Sequence, residues 1–435
     1  MPVDTPRLVR DAATDRWLVI LLMLFAVLVR APVAAHNIQS LRADVDNYHE
    51  LAWNLIERGT FGQQHSGPSA YRPPLYPVLL APLLRDVYYD FTGVVAMHVA
   101  LGLVTVWLTA VVGAQWGLGR WRFLAAALVA CDPILLKQST VFMTETLATA
   151  LAALAMAALT TVIKRPTIVR ALDAGFVLGL CVLCRPTFLV FAIAALPALC
   201  WLLPQGKARR KIMVITVAAL AMTLAPWTVR NWIEFGRPIV TTTHGGFTLA
   251  LANNRAFYDH LRKAPHEPWD AESSGWAGTI LQYPHAQQEE LENNRESYAL
   301  AWQTMRDEPR MFLRACVYRL SRFWGVLPLA LPQQTPRERM SRYAIAVFYS
   351  VELSLALLGA WRLRRDLLAS PWLFALLLAV SFTLVHTFYW TDMRMRAPVV
   401  PAVALAAAVG AAVLRRRKGE RKASSDKDLR TSSSV

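Results

Sequence analysis

The chain has 435 residues, of which 55% are hydrophobic and only 17% are charged. Soluble domains carry about a quarter charged residues, so this composition excludes an ordinary soluble enzyme, and 15 Trp, 17 Phe and 12 Tyr exclude a disordered chain. In so apolar a chain, the formal net charge of +16 indicates basic cytoplasmic loops beside anionic lipid rather than nucleic-acid binding.

Ten apolar stretches are predicted to cross a bilayer, for which about 20 residues are needed. They lie at about 18–36, 92–116, 123–138, 141–163, 171–184, 187–204, 212–227, 343–361, 371–390 and 397–414. The first could be a signal peptide, but its length and the embedded Arg30 favour an uncleaved anchor. An eleventh apolar run, 75–85, is either a further span or a helix that dips into the membrane and returns.

The positions of the basic residues decide the topology, because cytoplasmic loops carry an excess of Lys and Arg. With ten spans, every basic short loop lies on the same side as the N-terminal arginines, whereas a span at 75–85 would reverse all the later loops. We therefore predict a multi-pass inner-membrane or plasma-membrane protein with both termini in the cytoplasm and its active site outside.

This topology divides the chain into four regions and one large outer loop. The N-terminal transmembrane catalytic module is 1–227 including outer loop 37–91, followed by an extracytoplasmic domain at 228–342, C-terminal transmembrane helices at 343–414 and a basic disordered cytoplasmic tail at 415–435. Pro309 begins a cationic amphipathic helix, 309–324, which is expected to lie flat on the bilayer. Its apolar face holds Phe312, Cys316, Leu320 and Phe323, with Arg314, Arg319 and Arg322 away from that face.

Ionic and polar side chains gather on the outer membrane face. They are Arg42, Asp44, Asp46, Tyr48, His49, Arg72, Glu145, Arg185, Arg230, Arg394 and Arg396. Membrane orientation explains cytoplasmic arginines but not outward ones, and a charge within hydrocarbon costs about 2.5–3.5 kcal/mol. These residues therefore predict a functional site at the outer surface.

The first outer loop contains a predicted amphipathic helix that starts at Asp44 and ends near Gly59. Its apolar face holds Val45, Tyr48, Ala52 and Leu55. Asp44 has two readings, which stay open on the residues alone. It caps the helix, with Asp46 favouring the positive helix end, or it takes a proton from a substrate hydroxyl.

In the segment YRPPLYP, 71–77, consecutive prolines bar a helix before them and are predicted to fix an extended entry into the helix at 75–85. It is either a rigid turn or a device that aims Arg72 at an anion, which a guanidinium can hold through two parallel hydrogen bonds. His244, in a Gly-containing outer loop, is a peripheral candidate. His98 and His386 are read as packing groups.

Other chemistries find little support in the sequence. It has no GxxxxGK[ST], GxGxxG, HExxH or GxSxG motif. Cys181 and Cys184 have the spacing of a metal or redox pair, but no second pair accompanies them. The five cysteines are therefore read as small hydrophobic residues, and no metal or cofactor is predicted.

Seven short motifs follow one another over about 17–414. They are Asp44, Tyr48, Leu51, Ala52, Asn54, Leu55 and Gly59; Arg72-Pro73-Pro74-Leu75-Tyr76-Pro77; Thr144-Glu145; Arg185-Pro186; Pro226-Trp227 with Arg230-Asn231; Thr243-His244-Gly245-Gly246; and Arg394, Arg396, Pro398 and Pro401. The ordered series resembles the membrane-embedded GT-C glycosyltransferases, specifically the bacterial polyprenyl-phosphate-sugar group related to protein O-mannosyltransferases and lipid A aminoarabinose transferases.

The resemblance implies an all-α polytopic membrane protein with a GT-C-like fold of about ten transmembrane helices, a re-entrant helix and a small outer domain. It implies that Asp44 is the catalytic base. Many relatives have an acidic residue next, but here Val45 follows and the second acid is Asp46, whose role stays open. Residues implied to hold the donor phosphate are Arg72, Arg185 and Arg396, with Tyr48, Tyr76, Glu145, Arg230, His244 and Arg394 in support.

The predicted activity is inverting transfer of a sugar from a polyprenyl-phosphate donor to a hydroxyl of a lipid, glycan or protein on the outer face. Membrane lipids are expected partners and nucleic acid is not. A transporter or flippase of lipid-linked or anionic substrates is the alternative, although carriers bind near the bilayer midplane rather than at one surface. A non-catalytic protein that kept the fold is a third possibility. The sequence does not identify the sugar or the acceptor.

Overall fold

The structure is a computed structural model. It describes residues 12–44, 46–63, 67–84, 91–271, 274–276, 287–330 and 334–432, with side chains described between 15 and 416.

The described chain is almost wholly helical. The helices are α1 (Ala12–His36), α2 (Tyr48–Arg58), α3 (Leu75–Leu80), α4 (Thr92–Gln115), α5 (Trp121–Cys131), α6 (Pro133–Gln138), α7 (Glu145–Lys164), α8 (Ile168–Cys184), α9 (Thr187–Leu202), α10 (Lys207–Phe235), α11 (Gly245–Ala252), α12 (Arg255–Lys263), α13 (Gln287–Asp307), α14 (Pro309–Phe323), α15 (Pro336–Leu363), α16 (Trp372–Phe388) and α17 (Val400–Ser432). Short 3-10 segments cover Ile38–Arg42, Ala81–Leu83, Leu367–Ala369 and Met393–Val399. Two-residue strands β1 (Gly62–Gln63) and β2 (Gly67–Pro68) pair antiparallel, with Gly62 opposite Pro68.

The predicted all-α membrane architecture is confirmed. Among the described residues, six helical segments are long and apolar enough to cross a membrane: Asp15–His36, Thr92–Gln115, Glu145–Lys164, Lys207–Phe235, Pro336–Leu363 and Met393–Arg416. The apolar helices α5, α9 and α16 are shorter. The chain is therefore a multi-pass membrane protein.

The predicted span 123–138 is two helices rather than one. Asp132 separates α5 from α6 in an extended conformation, which a residue preceding proline favours. Its Oδ1 accepts a hydrogen bond of 2.9 Å from the backbone nitrogen of Leu135, so Asp132 also caps α6. The break sets α6 at an angle that the hydropathy of the segment does not reveal.

The run 75–85 forms the six-residue helix α3 and the 3-10 turn Ala81–Leu83. Six helical residues rise about 9 Å, far less than the roughly 30 Å of a bilayer core. The described part of this run therefore does not cross the membrane by itself. Tyr76 fixes α3 to α4, because its hydroxyl lies 2.8 Å from Nε2 of His98. Both side chains are buried and belong to the core.

The chain between α10 and α15 forms the helices α11 to α14, and α14 differs from its prediction. Its predicted apolar face packs on protein, with Cys316 and Phe323 buried. Arg319, predicted to lie away from that face, is buried and donates to the carbonyl oxygens of Ala252 (2.6 Å) and Thr387 (2.7 Å). Helix ends leave such carbonyls without helical partners, so a buried arginine can satisfy them.

The other side of α14 is the one left uncovered by protein. Leu313 and Val317 are 63% and 67% exposed there. If α14 touches lipid, it does so through these two residues and not through the predicted set.

The tail also differs from its prediction. A disordered segment was expected over 415–435, whereas the backbone of α17 stays helical to Ser432. Lys, Arg and Ala have high helix propensity, and a helix that is already nucleated extends at low cost.

Glycines allow neighbouring spans to approach closely. A Cβ on Gly359 of α15 would lie 1.9 Å from the carbonyl oxygen of Ala406, and one on Gly410 of α17 would lie 2.0 Å from that of Leu355. These distances are too short for any side chain, so α15 and α17 pack backbone against backbone.

We predict that Gly359→Leu lowers the thermal unfolding temperature of the detergent-purified protein, because overpacking costs about 1–3 kcal/mol or more. Ala360→Leu is the matched control, since residue 360 is exposed on the same helix. Equal melting temperatures for the Gly359 variant and wild type would contradict the packing of α15 on α17.

Candidate active site

A cavity of about 460 Å³ lies where the loops before α2 and α3, the ends of α7, α8 and α16, and the helices α11 and α13 meet. The polar and ionic residues of interest among its lining are Asp46, Tyr48, Tyr71, Arg72, Glu145, Arg185, His244, Tyr298, Tyr389 and Arg394. Tyr48, Glu145, Arg185, His244 and Arg394, all predicted from separate motifs, are thereby brought together with Asp46 and Arg72.

Arg72 lies at the centre of one half of the cavity. Its Nη2 is 2.8 Å from Oδ1 of Asp46, and its Nη1 is 3.4 Å from Nε2 of His244. The rings of Tyr48 and Tyr71 lie 5.6 Å and 5.3 Å from its Cζ, within the range of cation–π attraction. The guanidinium is therefore held in place before any substrate binds.

Arg72 sets the protonation of its neighbours. Burial opposes ionisation of Asp46 and is the largest single effect, but the charges of Arg72, Arg394 and Arg185 together outweigh it and lower the pKa of this carboxyl. Burial, with a further contribution from Arg72, holds the pKa of His244 well below its usual range. Asp46 is thus a carboxylate and His244 a neutral imidazole at neutral pH.

The other half of the cavity is built around Glu145, the first residue of α7. Its side chain is only 2% exposed. Its Oε1 lies 3.3 Å from Nη1 of Arg185, the residue after α8, and 3.9 Å from Nε of Arg394. Asp392, outside the lining, also pairs with Arg394, at 3.2 Å. One buried carboxylate thus lies between two guanidinium groups.

The formal charge of this lining favours an anion. Three arginines and two carboxylates give 3 − 2 = +1, with His244 neutral. The two arginines around Glu145 come from different chain segments, so the site exists only in the folded protein. A phosphate group would meet donors from both halves.

Asp44 has a different place from Asp46. The helix α2 begins at Tyr48, after Asn47 in a left-handed conformation. Oδ1 of Asp44 accepts from the backbone nitrogen of Tyr48 (2.9 Å), and Oδ2 accepts from those of His49 (2.9 Å) and Glu50 (3.1 Å). Asp44 therefore caps α2, which is one of the two roles that the sequence left open for it. It is not among the residues that line the cavity. Val45 lies outside the described residues.

Three other predicted residues also lie away from the cavity lining. Arg396 is 3% exposed, and its Nη1 donates to the carbonyl oxygen of Gly325 at 2.7 Å. Arg230 donates to the carbonyl oxygens of Ser69 and Phe61, both at 2.8 Å. Tyr76 is the core residue described above. Arg394, predicted only as a supporting residue, occupies the place at the cavity that was expected for Arg396.

The geometry of the 3-10 segment explains this exchange. With three residues per turn, side chains two positions apart point in directions that differ by about 120°. Arg394 and Arg396 both lie in Met393–Val399 and therefore face different sides of this segment. The sequence pattern RMR contains no signal that tells which arginine faces the cavity.

Sequence reasoning missed an aromatic wall on the outer side of the cavity. Its members are Tyr71, Phe247, Tyr298, Tyr389 and Trp390. The rings of Tyr71 and His244 are 4.5 Å apart in an edge-to-face arrangement. These residues come from four segments, and only the general excess of aromatics in the chain signals them.

A second, apolar groove of about 900 Å³ begins beside the cavity. Its lining includes Pro74, Leu75, Val78, Leu172, Phe176, Leu180, Leu183, Ala218, Met222, Trp227 and Arg230. Pro73 lines the cavity and Pro74 lines the groove, so the two spaces lie beside each other at the double proline. The groove walls come from α3, α8 and α10.

Within the described ranges, no three His, Cys, Asp or Glu side chains are grouped so that they could hold a metal ion.

No protein-family model matches the sequence, and no curated protein matches it. Solved structures do. The archaeal oligosaccharyltransferase AglB from Archaeoglobus fulgidus, in complex with an inhibitory peptide and a dolichol-phosphate, is 14% identical with a TM-score of 0.58, and the match covers 96% of this chain and 52% of that one. Its apo form gives 14% and 0.57, with 94% and 51% covered.

ArnT from Cupriavidus metallidurans bound to undecaprenyl phosphate also matches, with 14% identity and 90% and 77% coverage, but its TM-score of 0.37 is too low to support an argument. The matches to the Archaeoglobus fulgidus oligosaccharyltransferase structures confirm the predicted GT-C-like fold. This chain spans about half the length of AglB.

We predict that Asp44 makes stability depend on pH. Burial raises its pKa from 3.8 to about 6, against the opposing effect of the three backbone donors. A carboxyl with a raised folded-state pKa stabilises the fold at low pH, and this stabilisation is lost as the pH rises through about 6. The melting temperature of Asp44→Asn minus that of wild type should therefore increase as the pH is raised from about 4 to about 7.

Thermal unfolding in detergent across this pH range measures the difference. Glu57→Gln, which alters an exposed carboxyl on the same helix, is the control and should follow wild type. A constant difference between Asp44→Asn and wild type would contradict the raised pKa.

Proposed function

We propose that this protein is an inverting glycosyltransferase that moves a sugar from a polyprenyl-phosphate donor to a hydroxyl acceptor on the outer face of the membrane. One observation carries the proposal: a cavity with three arginines and two carboxylates meets an apolar groove at the ends of the spans. A lipid-linked phosphate has an anionic group that fits the cavity and an apolar tail that fits the groove. The GT-C fold supports the same class of reaction.

The donor phosphate would lie among Arg72, Arg185 and Arg394. The isoprenoid tail would leave this site over Pro73 and Pro74 and lie in the apolar groove, where burial of its surface gives roughly 25 cal/mol per Å². The sugar would then face the aromatic wall, because the tail and the phosphate occupy the other sides.

Asp46 is the acceptor's base in this arrangement, since it lines the cavity and Asp44 does not. The acceptor oxygen gives its proton to the Asp46 carboxylate and attacks the anomeric carbon from the face opposite the phosphate. The bond from that carbon to the phosphate oxygen breaks, and the lipid phosphate leaves with the electron pair. Arginines stabilise the charge that develops on it.

The ion pair between Asp46 and Arg72 links the basicity of Asp46 to binding of the donor. In the free protein the guanidinium makes Asp46 a weak base. A bound phosphate competes for the same guanidinium, which weakens its hold on Asp46. The basicity of Asp46 therefore rises when donor is present, and geometry takes precedence over the resting pKa in selecting a base.

Transport is the weaker candidate. Glu145 is the first residue of α7, and Arg185 follows the last residue of α8, so the ionic groups sit at helix ends. Carriers bind their substrates near the midplane between repeats. The proposal also places the termini in the cytoplasm and the cavity outside, following the basic loops.

We predict that Asp46→Asn lowers kcat by about 10²–10⁴, because the acceptor loses its base. Asp44→Asn should keep more of its activity and change the stability of α2, whose backbone nitrogens it caps. Transfer from radiolabelled polyprenyl-phosphate-sugar in native membranes measures both variants. The reverse order of losses would return the role of base to Asp44, and wild-type activity of both variants would contradict base catalysis at this site.

A second prediction concerns the groove. Ala218→Trp fills it, so the KM for the lipid donor should rise about tenfold while kcat changes little, as expected for lost uniform binding. Val217→Trp is the control, because Val217 is exposed on α10 but does not line the groove. An unchanged KM with the Ala218 variant would place the lipid tail elsewhere.

A further inference from the structure

The 3-10 segment Met393–Val399 supplies Arg394 and Met395 to the cavity. Such segments have poorer hydrogen-bond geometry than α-helices, so tertiary contacts fix their position. At its start, Asp392 accepts from the backbone nitrogen of Arg394 at 2.8 Å. The other fixed point is Arg396, on the side away from the cavity.

Arg396 is held on one side of its guanidinium only. Nη1 donates to the carbonyl oxygens of Phe323 (3.2 Å) and Gly325 (2.7 Å), at the end of α14. The Cζ atom lies 4.2 Å from the centre of the Tyr349 ring. Nη2 is buried and has no hydrogen-bond partner within the described part of the chain.

Tyr349 connects this arginine to a buried acid. Its hydroxyl lies 3.2 Å from each carboxylate oxygen of Asp132, and it accepts from the backbone nitrogen of Ile134 at 3.1 Å. Asp132 thus lies behind Tyr349, and among the described residues no hydrogen bond or ion pair joins it to Arg396. A second carboxyl group lies on the next turn of α15.

That group is Glu352, three residues after Tyr349. It is 2% exposed although α15 is largely uncovered by protein, and among the described residues its Oε1 has no hydrogen-bond partner. Glu352 and Arg396 line the same enclosed pocket of about 10 Å³, beside Trp324. A carboxyl at this depth of a span costs about 2.5–3.5 kcal/mol on insertion scales and calls for a partner.

We propose that one water molecule bridges Glu352 Oε1 and Arg396 Nη2, and that this bridge fixes the 3-10 segment with Arg394 toward the cavity. The pocket has about the volume that one water needs, and its lining includes the two side chains whose buried polar atoms lack a partner among the described residues. Glu352 is therefore a positioning residue that acts through Arg396. The effect of Glu352 on sugar transfer rests on the proposed function, whereas its effect on the position of the 3-10 segment does not.

The experiment is hydrogen exchange of the backbone amides of 393–399 in the full-length detergent-purified protein. Glu352→Leu should speed exchange of this segment about tenfold, because local opening becomes easier. Glu352→Gln keeps an acceptor for the water and should give a smaller increase. Leu353→Ala lines the same pocket without a charge and is the control, expected to leave this segment near wild type.

Wild-type exchange of 393–399 in both Glu352 variants would overturn the proposal, as would an equal increase with Leu353→Ala. If Glu352→Leu does not fold, Glu352→Gln alone decides, with unchanged exchange again overturning it. In the transfer assay, Glu352→Leu should raise the donor KM more than it lowers kcat, and Glu352→Gln should restore part of the affinity. Faster exchange together with no transfer by the wild-type protein would uphold the positioning role and refute the proposed glycosyl transfer.

Discussion

The arrangement of this protein depends on compensating buried charge at the edge of a membrane. Hydrocarbon excludes an unpaired ion, so Glu145 lies between Arg185 and Arg394, and Asp46 is paired with Arg72. These pairs use side chains from four regions of the chain. Because the cavity lining has more arginines than carboxylates, one positive charge is left over to attract an added anion. The need to pair buried charges therefore both orders the fold and prepares the cavity for an anionic ligand.

Helix capping and proline residues determine where these charged side chains point. Asp44 caps α2 with both carboxylate oxygens, which sets the turn that carries Asp46 to the cavity. The double proline after Arg72 prevents the chain from continuing as a helix and separates the ionic cavity from the apolar groove. A structural role for Asp44 or for the double proline does not exclude a functional one, because a residue that fixes the backbone can place a neighbouring side chain in the site.

Hydropathy predicted the helical membrane fold well, because lipid imposes length and composition on each span separately. The break at Asp132, the buried face of α14 and the helical continuation of α17 were not predicted. Each depends on what packs beside the segment or on how far a helix propagates. At the site, Asp46, Arg72, Glu145, Arg185, His244 and Arg394 were all candidates. The prediction put Asp44 before Asp46 as the base and Arg396 before Arg394 as a phosphate ligand, whereas Asp46 and Arg394 are the ones that line the cavity.

The sequence by itself determined which segments are apolar enough to be membrane helices, and that arginines and acids beside them are too costly to be incidental. Only the tertiary structure decided which of them meet. Asp44 turns to the backbone nitrogens of α2 while Asp46 faces the cavity, and in the 3-10 segment Arg394 faces the cavity while Arg396 is rotated away from it. Such rotations change the direction of a side chain without changing hydropathy or residue type, so one-dimensional patterns do not contain them.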